Sequence, residues 1–429
     1  MVKDELIISY TPSEDDYNNL NEIRDFLNEM EIPFVESDVV FGMFTIRDIK
    51  GNDIELRYIS SLHYPMDLSK RFGEDFKGVP KEYFMKISQR NYEENNIRTI
   101  WIFDFEMKQK SDLKTVDGTI IKDYRRQWEV MKNTIRTATG HIFHRFYARD
   151  CEICNVDNSE LRPFLQESCF YSYRSANVNL GLRLKKDKNG FKAGTLLFVY
   201  TFGMCFYGNK KHQHDPKVEI IRVATKLGCQ VIGGSSKCLQ FFLKMYPTLK
   251  VDESKKDVKV DELIFFVDAS HLDGRSMSSG ALNFKFLNWD TEGFMNIFTE
   301  DIDEIYELPD GKKVRIRGNK GDVQQRKPAA HRRIMVLIEE KKIISVGNAG
   351  TSVYHIFRNE YLQDIIVNSM KDKQHSVLND NDIIKVLIDD AVHVVNELRK
   401  DENGNIEMRI ADSGEWKPMQ ECLPFEKER

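Results

Sequence analysis

The chain switches repeatedly between helical and strand periodicity. Residues 16–30 (DYNNLNEIRDFLNEM) place Leu20, Ile23, Phe26, Leu27 and Met30 on one stripe, which predicts an amphipathic helix. Two strand-like runs follow, 40–49 and 54–60, split by Gly51-Asn52, a turn dipeptide that predicts a hairpin. A helix over about 81–95, a buried strand at 98–103 and a helix over about 123–138 complete a first α/β unit. A second unit starts near Phe146, with strands predicted at 178–184, 194–202 and 218–224. The turn Val231-Ile232-Gly233-Gly234-Ser235-Ser236 then leads into a helix over about 237–246 and a strand at 262–268. Residues 250–260 (KVDESKKDVKV) read as a charged, solvated insert. Beyond residue 300 come a hairpin around Pro309-Asp310-Gly311, a basic loop, a helix near 330–340 and a strand pair within 343–357. Residues 381–399, carrying Ile383, Ile384, Val386, Leu387, Ile388, Val392, Val394 and Val395, read as a packed core helix. A last hairpin is predicted across Glu402-Asn403-Gly404-Asn405.

Length and composition narrow this picture. At 429 residues the chain predicts two or three domains. No apolar run approaches the roughly eighteen residues of a membrane span, and MVKDELIISY lacks the basic start and apolar core of a signal peptide. Seven cysteines, odd in number and scattered, predict reduced thiols in a cytoplasmic protein. Cys151-x-x-Cys154 is a lone pair without the further ligands of a zinc knuckle. The net charge of −5 gives no global field to attract nucleic acid, so contact with DNA must use a local patch. One candidate is the run Lys312, Lys313, Arg315, Arg317, Lys320, Arg326, Lys327, Arg332 and Arg333, with Asp322 the only acid inside it. Such residues neutralise phosphates and release counterions without reading bases. His331, in the same stretch, reads as solvent-exposed.

The turn Gln230-x-x-Gly233-x-Ser235 has the spacing of a pyrophosphate cradle. A helix start leaves backbone N–H groups unpaired, and Gly233, Gly234, Ser235 and Ser236 let a phosphate come close. A tight turn with Ser235 or Ser236 as N-cap explains the same residues. The segment Val178–Asp268 resembles the GNAT acyltransferase fold, in which a Gln/Arg-x-x-Gly-x-Gly/Ala loop holds coenzyme A. Ser235 stands where that family prefers Gly or Ala. By position the resemblance makes Glu219 and Asp268 the candidate general bases; strand-end carboxylates are as often surface residues or caps.

A longer collinear series covers about residues 18–290. Phe146-Tyr147-Ala148-Arg149-Asp150-Cys151-Glu152-Ile153, Glu219-Ile220-Ile221-Arg222, Val231-Ile232-Gly233-Gly234-Ser235-Ser236-Lys237 and the Asp268 strand with Asp273-Gly274 resemble, in order and spacing, the Hef-like homing endonucleases of bacteriophages. Asn348-Ala349-Gly350-Thr351-Ser352-Val353-Tyr354 resembles that family's closing strand. The resemblance implies a DNA-cutting mobile-element protein with a restriction-enzyme-type N-terminal unit and a GNAT-like second domain. It also implies that an acid on one hairpin strand and a Glu on the next hold Mg²⁺, which activates water. Here Ile46 fills the slot of the acid and Arg57 that of the Glu, and neither holds a divalent metal. The helix that should offer His and Lys reads Tyr83-Phe84-Met85-Lys86-Ile87, and the strand that should end in acids and Trp reads Phe103-Asp104-Phe105-Glu106-Met107. Independently of the resemblance, a two-residue turn at Gly51-Asn52 would set Asp48 opposite Glu55 and Ile46 opposite Arg57, on one face. Asp48, Glu55 and Arg57 would then imitate a displaced metal-dependent nuclease site, or simply form an exposed cross-strand ion pair.

Together these readings predict an α/β (α+β) chain in three parts. They are a degenerate restriction-endonuclease-like domain over 1–145, a GNAT-like mixed-sheet domain over 146–300, and a small α+β C-terminal extension with the basic loop over 301–429. The expected function is that of a DNA-binding relative of phage homing endonucleases, with cleavage weakened or lost, in the cytoplasm of an infected bacterial cell. Its expected partner is double-stranded DNA, without membrane; Mg²⁺ or Mn²⁺ would serve a live nuclease. The alternatives are a GNAT-type acyltransferase or DNA-modification enzyme using acyl-coenzyme A, and a non-catalytic scaffold holding a protein partner without any cofactor.

Overall fold

The structure, a computed structural model, describes residues 11–108, 113–114, 120–121, 127–171, 173–205, 217–250, 257–272, 274–278, 282–290, 294–308, 310–324, 331–380 and 382–425. The chain is an α+β protein in which helices pack on several sheets, three of which have four, seven and five strands among the described residues. Among the described residues no helix is long and apolar enough to cross a membrane.

Ser13 opens α1 (Glu14–Glu29) through a capping box with Asp16, and Leu20, Ile23, Phe26 and Leu27 are its buried face. That face covers a four-stranded sheet of β1 (Phe34–Glu36), β2 (Met43–Arg47), β3 (Asp53–Ile59) and β4 (Arg98–Phe103), in that order. The first three strands are antiparallel; α2 (Tyr83–Asn95) carries the chain across so that β4 runs parallel to β3. A one-turn helix, α3 (Asp104–Met107), follows β4 directly, and α4 (Gln127–Thr139) adds Trp128, Met131 and Ile135 to the core.

The second large sheet has seven strands and mixed direction. β5 (His144–Tyr147) stands outside it; β6 (Cys151–Asn155) forms one edge, and α5 (Asn158–Ser168) follows. β7 (Val178–Leu184), β8 (Leu196–Met204) and β9 (Val218–Thr225) continue the sheet antiparallel. β10 (Cys229–Ile232) leaves it to pair with β5, and α6 (Gly234–Met245) returns across one face, where Phe242 stacks on Phe202 at 3.8 Å. β11 (Glu262–Asp268) then lies parallel to β9, but only Val218–Ile220 pair with Leu263–Phe265. Beyond that the two strands part.

The expected boundary at residue 300 does not separate the later chain from the earlier sheets. β12 (Lys285–Asp290) and β13 (Phe294–Phe298) are followed by the hairpin of β14 (Ile302–Glu307) and β15 (Lys313–Gly318), then α7 (His331–Glu339), β16 (Ile343–Gly347) and β17 (Thr351–Phe357). The strands at 343–357 do not pair with each other: β16 pairs with β13, whereas β17 enters the seven-stranded sheet between β11 and β12. Val346 and Ala349 share a core with Phe84, Trp101 and Phe103 of the N-terminal unit.

α8 (Arg358–Ser369) and β18 (His375–Val377) lead to the largest correction. The helix expected at 381–399 is a hairpin of β19 (Ile384–Ile388) and β20 (Ala391–Lys400), followed by β21 (Ile406–Ile410) and β22 (Trp416–Pro418). Asp389 and Asp390 take φ of 51° and 62°, the left-handed pair that a two-residue hairpin turn requires. The run is rich in β-branched residues, whose stiff side chains favour strands; its apolar count suits a helix, but the Asp-Asp break does not. Replacing Asp389-Asp390 by Asn-Gly should stabilise this hairpin by about 0.5–1 kcal/mol. A higher urea midpoint at unchanged m-value would show it.

Candidate functional site

The hairpin residues do not assemble as a nuclease site. The register sets Thr45 opposite Glu55, Met43 opposite Arg57 and Ile46 opposite Ile54. The turn holds three residues rather than two: Asp48 and Asn52 close it, and Gly51 takes φ of 87°. Asp48 is spent on that turn, accepting hydrogen bonds from the backbone N–H groups of Lys50 and Asn52 and from Asn52 Nδ2, at 2.8–2.9 Å. Ile46 is fully buried in the core. Asp48 therefore neither faces Glu55 nor shares its site.

Glu55 and Arg57 lie on the same side of β3 and do meet. Arg57 Nε donates to Glu55 Oε1 at 2.5 Å, and Asn91 Nδ2 of α2 donates to the same oxygen at 2.7 Å. The guanidinium lies 5.5 Å from the centre of the Trp101 ring, on the neighbouring strand. Both side chains are largely buried, with 7% of Arg57 and 13% of Glu55 exposed, so the expected exposed cross-strand bridge is an inward same-strand pair. A divalent metal needs several oxygens carrying uncompensated charge, and the one carboxylate here is neutralised by a cation. The donor set does not fit Mg²⁺ or Mn²⁺. Among the described residues no group of three His, Cys, Asp or Glu is arranged to hold a metal.

A different cluster forms where β4 and β11 end. His271 Nδ1 is 2.6 Å from Asp268 Oδ2, and its Nε2 lies 2.9 Å from Glu106 Oε1. Tyr171 donates to Asp268 Oδ2 at 2.5 Å, the Ser270 N–H donates to Asp268 Oδ1, and Phe170 stacks on the imidazole at 4.2 Å. Arg98 Nη2 donates to the His271 carbonyl, and the Trp101 N–H to that of Ser270. Burial alone would lower the His271 pKa, but the Glu106 and Asp268 carboxylates outweigh it and raise it to about 10. Asp268, although burial opposes its charge, is held below its ordinary value by His271 and Tyr171. The expected base is thus an ionised carboxylate already engaged by three donors. The group binds the N-terminal unit to the seven-stranded sheet. Sequence reading weighed Asp268 and noted Glu106 but missed His271, although Asp268-x-x-His271 at a strand end was a usable signal.

Glu219, the other candidate base, is buried on β9 with Arg174 Nη1 at 3.5 Å. In the glycine turn, Gly233 caps α6 with φ of 77°, and neither Ser235 nor Ser236 caps it with its side chain. Gln230 does not join the turn; it sits in β10 opposite Arg145. Gly233, Gly234, Ser235 and Ser236 thus stand together at the helix start, while Gln230 falls outside it.

The basic run is only in part a loop. Lys313, Arg315 and Arg317 lie on β15, with Lys313 opposite Glu307 and Arg317 opposite Asp303 of β14, and Arg315 opposite Ile305. Arg315 pairs with Asp303 at 2.6 and 2.7 Å, and Arg333 with Glu304 at 2.6 and 2.8 Å. Lys312, Lys313, Lys320 and Arg332 are exposed, as is His331. Arg326 and Lys327 lie outside the described residues. No protein-family model matches this chain, and no curated protein matches it.

Proposed function

We propose that this chain binds double-stranded DNA and that its N-terminal unit does not hydrolyse it. The buried Arg57–Glu55 pair carries this reading, because it closes the face on which a nuclease would hold its metal. The order of hairpin, helix and parallel strand supports kinship with restriction-type nucleases, as do the motifs shared with phage homing endonucleases. Exposed Lys312, Lys313, Lys320 and Arg332 supply charge for phosphates in an otherwise acidic chain. Fluorescence anisotropy with a duplex of about 20 base pairs tests it: affinity should fall at least about tenfold between about 50 and 200 mM salt. No duplex binding at the lower salt overturns the reading.

One observation favours a second reading, acyl transfer from coenzyme A. β9 and β11 pair over only three residues, Val218–Ile220 against Leu263–Phe265, and then part. Acetyl-coenzyme A at millimolar concentration would then raise the melting temperature by mass action. An unchanged melting temperature removes this alternative.

A further inference from the structure

We infer that the main seat for the DNA backbone is a second surface, where β5 ends beside the start of α6. The inference rests on the DNA-binding reading above but places the contact away from the 312–333 run. Arg145, Arg149, Lys185 and Lys186 are exposed there, and none pairs with a carboxylate among the described residues.

The patch is built rather than incidental. The Arg149 guanidinium lies 4.9 Å from the centre of the exposed Tyr147 ring, and Lys188 Nζ lies 5.8 Å from the same centre. Lys188 also pairs with Asp150 at 2.6 Å, which neutralises that acid. Lys185 Nζ donates to the Arg149 carbonyl at 3.2 Å, tying the β7 end to the turn after β5. Lys237, on the first turn of α6, donates to the carbonyls of Ala148 and Cys151 at 2.9 and 2.5 Å. It thereby brings the helix start against this turn, where Gly233 is exposed and lies opposite Ala148.

Charge balance decides between the two basic regions. In the 302–333 region Asp303 and Glu304 neutralise Arg315 and Arg333, and the facing strand also carries Glu307. At the Tyr147 surface Asp150 and Asp187 are paired, and exposed Glu152 is outnumbered by four exposed cations beside a helix N-terminus. Several phosphates along one backbone fit cations spaced over such a surface, and the helix start adds N–H donors.

The test is anisotropy of the same duplex over a salt series, with wild type and two triple variants. Arg145→Ala/Arg149→Ala/Lys185→Ala should weaken binding at least about tenfold and reduce the salt slope by about 2.7, roughly 0.9 per lost phosphate contact. Lys312→Ala/Lys313→Ala/Lys320→Ala should lose less. Wild-type slope in the first triple variant overturns this surface while leaving DNA binding intact. Failure of wild type to bind duplex overturns both proposals. Should the first triple variant not fold, Lys186→Glu on an exposed side chain repeats the test, and unchanged affinity and slope overturn the surface equally.

Discussion

Replacing His271 by alanine should lower the unfolding free energy by about 3–5 kcal/mol, the usual cost of removing one partner from a buried ionic network. The imidazolium lies between Glu106 and Asp268, all three largely buried, so its loss leaves two carboxylates facing each other without a cation. The effect should also vary with pH. An unfolded histidine titrates near 6.5, whereas His271 in the fold titrates at about 10. Between those values the folded chain holds a proton that the unfolded chain has lost. The contribution is complete below the lower value and is lost as pH rises through the upper one, by up to about 1.4 kcal/mol per pH unit. Urea unfolding at a series of pH values from about 6 to 10 checks this, and His271→Gln should flatten the alkaline decline. Stability of wild type independent of pH over that range would contradict the account of the cluster.

Arg57→Ala should cost a similar amount, about 3–5 kcal/mol, because it leaves Glu55 buried beside the neutral donor Asn91 without its cation. It also removes a guanidinium lying 5.5 Å from the Trp101 ring centre, adding lost packing to lost charge. The paired replacement Glu55→Gln/Arg57→Met should recover most of that loss, since removing both charges leaves no uncompensated ion. Thermal unfolding of the three proteins separates these cases. The single variant should gain no Mn²⁺-dependent cleavage, because one carboxylate does not make a divalent site.

Much of the architecture was legible in local pattern. The strands at 178–184 and 262–268 begin and end where their pattern places them, because the first alternates Val178, Leu180, Leu182 and Leu184 with Asn179, Gly181 and Arg183, and the second is an apolar run between Glu262 and Asp268. The segment at 381–399 misled because apolar count was weighed above β-branching and the Asp389-Asp390 break. The hairpin register failed for a different reason. Asp48 accepts hydrogen bonds within the turn, lengthening it by one residue and turning Asp48 away from Glu55. The Arg57–Glu55 pairing itself was readable from chemistry, since an arginine beside a carboxylate seeks it. Of the Glu106–His271–Asp268 cluster only the Asp268-x-x-His271 spacing was, because Glu106 comes from a separate unit that only the tertiary fold brings against it.

We propose above that the chain holds DNA without cutting it. Supercoiled plasmid incubated with the protein and Mn²⁺, then run on a gel with and without protease, tests this most directly. A mobility shift that protease abolishes, with the plasmid still supercoiled, is the predicted result. Nicked or linear plasmid that persists after protease and disappears in Glu55→Ala would contradict it, and would make the Glu55 face a working nuclease site.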